Sequence, residues 1–175
     1  MVAAIAAKAY ADTDDKASLQ TVSTVDLKRY MGKWYEIARL PNRFQKKCAG
    51  DVTATYSLGD KGKVTVLNQC RDHSGKLTSA KGKAKVADKK TNAKLKVTFV
   101  KSFFFWPFGA DYKIIDLGAD YEYAVVASGR DYLWILSRTP QMDEEVYKRL
   151  ANRAAAQGFD VSRLQKTQQS SAGNL

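Results

Sequence analysis

Between residues 34 and 138, apolar and polar positions alternate in short runs, and each run stops at a cluster of Gly, Asn, Asp, Ser or Pro. A period of two marks strands with one buried and one wet face. The clearest case is VTATYSL (52–58) and KVTVLNQC (63–70), joined by GDKG; this predicts a hairpin with Leu58 facing Lys63 and Cys70 opposite Asp51. Further strands are expected at 82–87, 95–101, 111–117, 121–127 and 132–138, and a first begins at Trp34, making eight. Their links, DHSGK, DKKTN, WPFGA, LGAD and SGR, are short and rich in turn residues. Even spacing without intervening helices predicts an all-β fold, an eight-stranded up-and-down antiparallel β-barrel of a size that closes around one small ligand.

Only afterwards does the period lengthen. In TPQMDEEVYKRLANRAAAQGF (139–159), Met142, Val146, Leu150 and Ala154 make one apolar stripe. Asp143, Glu144 and Glu145 fill the first turn, where the helix dipole favours anions, and Gly158 stands at the stop. One α-helix is therefore expected, packed outside the barrel. The chain divides into a flexible leader (1–25), one barrel domain (26–167) and a flexible polar tail (168–175). In the leader, Ala9-Tyr10-Ala11 before Asp12 has the form of a signal-peptidase site behind a short apolar run, which reads as the remnant of an export signal or as a disordered leader. No stretch approaches the ~18 consecutive apolar residues of a membrane-spanning helix.

Composition adds charge to this picture. Apolar residues are 45% and charged residues 27%, as in an ordinary globular domain. The formal charge is +11, and the segment 59–101 alone carries twelve basic against three acidic residues. In KGKAKV and AKLKVTF the lysines occupy alternate positions, so they form an outer face: a solvated surface first, a contact for anionic lipid headgroups second. No recognition helix or RNA-binding signature accompanies them, which disfavours nucleic acid. The chain has two cysteines; the hairpin brings Cys48 within reach of Cys70, predicting one disulfide, the alternative being two buried thiols.

Catalytic constellations are sparse. His73 lies in the polar turn DHSG without an acid or Cys at metal-ligand spacing, and neither a Gly-x-Ser-x-Gly nor a phosphate loop occurs. No metal or cofactor is predicted.

Gly32-x-Trp34-Tyr35 on the first strand, Asp120-Tyr121 before the seventh and Arg138 ending the eighth, followed by one helix, resemble the three sequence signatures of the lipocalins. KWYEIARLPNRF, RDYLWILSRTP and QGFDVSRL resemble in particular the bacterial outer-membrane, plant temperature-induced and apolipoprotein D group, and the likeness runs from 26 to about 167. It implies a binder of a small hydrophobic ligand, such as a fatty acid or lysophospholipid, serving lipid storage, transport or membrane maintenance under stress. An enzyme on the same barrel, an isomerase or de-epoxidase using Glu36 or Tyr112 as acid, and a pigment or haem carrier are the alternatives. Bacterial members often carry an acylated N-terminal Cys, which this sequence lacks, so a periplasmic or secreted form is expected, with outer-membrane association secondary and a monomer or homodimer as the unit. The Cys48 and Cys70 pair resembles a pattern found in some bacterial members.

The signature has its own physics. An indole can plug one end of a barrel, Gly32 lets backbone approach it, and Arg138 can lie on the ring while donating to first-strand carbonyls. Gly32, Trp34 and Arg138 are thus closure residues. Alternation from these anchors turns Glu36, Ala38 and Leu40 inward, with Trp134 and Leu136 on the last strand. The hairpin contributes Ala54 and Tyr56, then Val64, Val66 and Asn68. The basic strands contribute Gly82, Ala84 and Val86, then Leu95, Val97 and Phe99; Tyr112, Ile114, Tyr123 and Val125 complete the lining. Small residues leave volume, apolar walls suit hydrocarbon, and Asn68, Tyr56 and Tyr112 can orient a headgroup. Glu36 is read as a carboxylate hydrogen-bonded for structure. Phe103, Phe104, Phe105, Trp106 and Phe108, flanked by Lys101 and Lys113, form an entrance loop that either dips into an anionic bilayer or packs on its neighbours.

Overall fold

The computed structural model describes residues 18–59, 63–99 and 109–170. Eight antiparallel strands follow one another in chain order: β1 Gly32–Arg39, β2 Cys48–Leu58, β3 Val64–Asp72, β4 Leu77–Val86, β5 Lys94–Phe99, β6 Ala110–Leu117, β7 Tyr123–Ser128 and β8 Tyr132–Ser137. Each pairs with the next, and β1 pairs with both β8 and β2, which closes the barrel. A four-residue helix, α1 (Leu27–Tyr30), precedes β1, and α2 (Glu144–Ala156) follows β8. Asp143 caps α2, its carboxylate accepting from the N–H groups of Glu145 and Val146 at 2.9 and 3.1 Å.

The hairpin register differs from the expectation by one residue. Leu58 faces Val64, not Lys63, because the Gly59 N–H donates to the Lys63 carbonyl, which sets those two residues opposite each other and moves the register by one. Tyr56 then lies opposite Val66 and Ala54 opposite Asn68, so the inward sets of both strands share one face. Register shifts between Cys48 and Thr53 bring the start of β2 back beside the end of β3. There Cys48 and Cys70 form a disulfide, with Cα atoms 5.6 Å apart.

Two further irregularities decide which core each side chain joins. Ile37 is an extra residue in the pairing of β1 with β8, and Ile115 is one in the pairing of β6 with β7. Below Ile37, Trp34 and Glu36 point inward; above it the parity inverts, and Ala38 and Leu40 pack under α2. The expectation that Ala38 and Leu40 line the lumen is therefore corrected, and Arg39, opposite the inward Trp134, takes that face. Tyr123 and Val125, expected inside, belong to the outer cluster, and Ala124 and Val126 face inward, because β7 pairs without a shift with β8 and sets them beside the inward Leu136 and Trp134. Leu150, Ala154 and Phe159 cover this outer cluster, and Leu150 is wholly buried.

The C-terminal segment completes the wall. β1 stays paired with β2 only as far as Tyr35 and Thr53; beyond that, β9 (Gln165–Lys166) pairs with Ala38 and Arg39. The Asp51 N–H donates to the Gln168 carbonyl at 2.8 Å, and the Gln169 amide bridges the Glu36 and Val52 carbonyls, both at 2.8 Å. Residues 168–170, expected as the start of a loose tail, are thus stitched to both strands.

The disulfide closes a separation of 22 residues. Replacing both cysteines by Ser is expected to lower unfolding free energy by ~3 kcal/mol through loop entropy. Urea denaturation of oxidised wild type and the double variant measures this; equal midpoints would contradict it.

Candidate functional site: the barrel lumen

The lumen is built from its closed end upward. Trp34 is completely buried, and the Arg138 guanidinium lies 3.8 Å from the centroid of its ring. Arg138 donates from Nη1 to the Lys33 carbonyl (3.0 Å), from Nη2 to those of Arg29 (2.7 Å) and Tyr30 (3.2 Å), and from Nε to that of Tyr121 (3.2 Å). Burial pulls its pKa below the ordinary arginine value. Trp34 Nε1 donates to the Tyr30 carbonyl at 2.9 Å. Gly32 has φ +97°, and a Cβ there would sit 3.2 Å from Arg138 Nη1, so both conformation and space call for glycine.

α1 lies across this end and supplies Tyr30. Its only sequence signal is Asp26, whose carboxylate accepts from the N–H groups of Lys28 and Arg29. Four residues are too few to show a helical period.

Just above the indole, Tyr30 and Tyr56 each share a hydrogen bond with Tyr112, hydroxyl to hydroxyl, at 2.7 and 2.8 Å. Burial raises the pKa of all three phenols, that of Tyr56 to about 12. Sequence parity placed Tyr56 and Tyr112 inside; the third member comes from α1.

Higher in the barrel stands a second polar group. The buried Glu36 carboxylate accepts from Arg39 Nη1 at 2.8 Å, from Gln45 Nε2 and from Thr167 Oγ1. Gln45, in a 3-10 turn (Arg43–Gln45), accepts through Oε1 from Trp134 Nε1 at 2.9 Å and from Asn42 Nδ2 at 2.7 Å. Tyr132 stacks on Trp134 with centroids 6.1 Å apart, and Phe44 lies 5.2 Å from Tyr132. Arg39, Gln45 and Thr167 were not among the predicted site residues. The bulge hid the first, and the other two arrive from a loop and from the C-terminal segment.

Between these groups the inner face is apolar and incompletely covered. Tyr56, Val66, Ala84, Val97, Ile114 and Leu136 are buried in the inner cluster, while Ala54, Val86, Phe99, Tyr112 and Trp134 on the same face are only partly buried. The Phe99 ring lies against Gly82, where a Cβ would approach it to 2.8 Å. Asn68 projects from the same face, and its Oδ1 is buried with no hydrogen-bond partner, as is Arg39 Nε, among the described residues. His73 sits in the exposed β3–β4 turn, Nε2 3.4 Å from the Lys46 carbonyl. The expected entrance-loop residues Phe103, Phe104, Phe105, Trp106 and Phe108 lie outside the described residues.

A raised phenol pKa makes folded-state stability fall at high pH. The unfolded chain releases these protons near pH ~10 whereas the folded chain holds them, so the contribution is complete below ~10 and is lost as pH climbs toward 12. Unfolding free energy should be flat from pH 7 to ~10 and then decline, less steeply in Tyr56→Phe. Denaturant titrations across that range, with tyrosinate absorbance as monitor, check it; titration of every tyrosine near 10 in the folded protein would contradict it.

The family model described as "Lipocalin-like domain" matches residues 25–169. The chain is 44% identical over 160 residues to temperature-induced lipocalin-1 of Arabidopsis thaliana, covering 89% of this chain and 86% of that one. It is 43% identical over 150 residues to the outer membrane lipoprotein Blc of Escherichia coli K12, covering 85% and 81%. Among solved structures, insecticyanin of the tobacco hornworm Manduca sexta superposes with a TM-score of 0.67 at 19% identity, over 88% of this chain and 86% of that one, a likeness of fold. By the matched domain, by these relatives and by a barrel closed with Trp34 under Arg138, the chain belongs to the lipocalin family.

Proposed function

We propose that the lumen binds a fatty acid or lysophospholipid non-covalently, and that the protein stores or ferries such lipids, or maintains membranes with them, under stress. The observation that carries this is the inner face itself: apolar side chains from Ala54, Val86, Phe99 and Trp134 that remain partly uncovered above a sealed floor. At ~0.8 kcal/mol per enclosed CH₂, about ten methylenes would gain roughly 8 kcal/mol before ordering costs, which suffices for micromolar binding. Glu36 supports binding over catalysis. Three donors already hold its carboxylate, leaving it poorly placed to serve a substrate as acid. Kinship with an outer membrane lipoprotein of E. coli and a temperature-induced lipocalin of a plant favours an exported or membrane-associated protein that acts under stress.

Titration with a long-chain fatty acid, read by quenching of tryptophan fluorescence, is expected to give a micromolar Kd. Ala54→Trp, which fills the lumen, should weaken it by about tenfold or more, and Glu36→Gln should retain affinity if it folds. Unchanged affinity in Ala54→Trp would put the ligand elsewhere.

The outer face of β4 and β5 supports a membrane role. Lys81, Lys83, Lys85, Lys94 and Lys96 are all exposed, and Lys85 stands directly across from Lys96. Of these five, only Lys96 has a carboxylate partner, Asp111, among the described residues. Binding to vesicles containing phosphatidylglycerol should exceed that to pure phosphatidylcholine, weaken with salt, and drop in Lys81→Glu/Lys83→Glu/Lys85→Glu. Equal sedimentation with both vesicle types would rule the contact out.

A further inference from the structure

The hydroxyl cluster on the lumen floor has one proton too many. Tyr30, Tyr112 and Tyr56 contribute three O–H groups but make two hydrogen bonds among themselves, so one proton is left over whichever way the chain is oriented. Asn68 has the opposite deficit, a buried Oδ1 with nothing to accept from. The register sets both on one inner face: Tyr56 pairs with Val66, and Asn68 is the next inward residue on β3, a diagonal neighbour at about 7 to 8 Å between Cα atoms.

The surroundings decide the charge of what fits. Tyr30 and Tyr56 are 2% and 6% exposed. Arg138 spends its donors on backbone carbonyls, and Arg39 pairs with Glu36 in the upper lumen. The Arg138 charge reaches Tyr30, but the guanidinium lies over the Trp34 ring with its donors on backbone carbonyls, so an anion beside three neutral phenols in so dry a place would have no cation to pair with directly. We propose that the floor is a subsite for the neutral hydroxyl end of an extended apolar ligand, a fatty alcohol or an un-ionised fatty acid entering head first. A tyrosine O–H donates to the ligand oxygen, and the ligand O–H donates to Asn68 Oδ1. One hydroxyl group thereby satisfies both the spare donor and the spare acceptor, while the hydrocarbon runs up the wall toward the mouth.

This inference rests on the lumen being a lipid site, and the experiment separates the two. The full chain is titrated with N-phenyl-1-naphthylamine, a neutral apolar probe, and the probe is then displaced by a long-chain alcohol, by its methyl ether, and by the fatty acid of equal length at pH ~5 and ~8. The ether accepts but cannot donate. Wild type should prefer the alcohol to the ether by about tenfold, and Asn68→Leu, which keeps the shape but not the acceptor, should abolish that preference. The fatty acid should bind less well at the higher pH while the alcohol is unaffected. Equal affinity for alcohol and ether in wild type, or tighter fatty acid binding at pH ~8 than the alcohol shows, overturns the inference and leaves the lipid site intact. Failure of the probe to enter overturns both. The wild-type comparison of alcohol with ether stands even if the variant does not fold.

Discussion

A closed barrel satisfies the backbone of every wall strand but leaves two open ends, and this molecule depends on how one of them is sealed. Trp34 lies across the end as a wholly buried plate, and Arg138 covers it while binding four carbonyls from three chain segments. The cation–π contact by itself is worth ~0.5 to 2 kcal/mol. Its structural reach is greater, because the same guanidinium joins the entry to β1, the β6–β7 turn and the end of β8. With that end dry, the phenols above it stay protonated and the cavity has a floor against which a ligand can be packed.

The wall obeys a second constraint, which is parity. Outer and inner cores are separated by one layer of backbone, and a single extra residue transfers every later side chain from one to the other. Ile37 and Ile115 do this where the outer wall has to meet α2. Ala38 and Leu40 consequently pack beneath the helix, and Arg39 turns into the lumen.

These two constraints explain what could be read from residues alone. Strand number, helix, closure residues and most of the lining follow from period two, turn chemistry and the Gly32, Trp34 and Arg138 set. Bulges leave no mark in composition, since Ile37 and Ile115 are as β-prone as their neighbours. Hence Ala38 and Leu40 lie on the face opposite to the one that alternation predicts, whereas Tyr123 does so without a bulge in its own strand, its face being set by the unshifted pairing of β7 with β8. The Glu36 network was legible only as a single inward acid, because Gln45 and Thr167 reach it from a 3-10 turn and from a segment 131 residues away. The one-residue error at the hairpin came from a turn whose closing bond, Gly59 to Lys63, is not fixed by GDKG alone.

Charge placement shapes function on this frame. In the lumen Glu36 is paired with Arg39, and the Arg138 guanidinium lies over the sealing indole with its donors on carbonyls, so the interior offers a ligand an apolar wall and neutral hydrogen-bonding groups. On the outside, among the described residues, Lys81, Lys83, Lys85 and Lys94 of β4 and β5 stand exposed without a carboxylate partner. That division suits a protein that holds hydrocarbon within and meets an anionic surface without. The central claim is that hydrocarbon occupies this interior, and contacts between a bound protonated lipid chain and the methyl groups of the deuterated protein, measured by NMR, test it most directly. Contacts to Val66, Ala84 and Val97 without contacts to Val125, Leu133 or Leu150 are predicted; a lipid in contact with the latter set, beneath α2, would contradict the account.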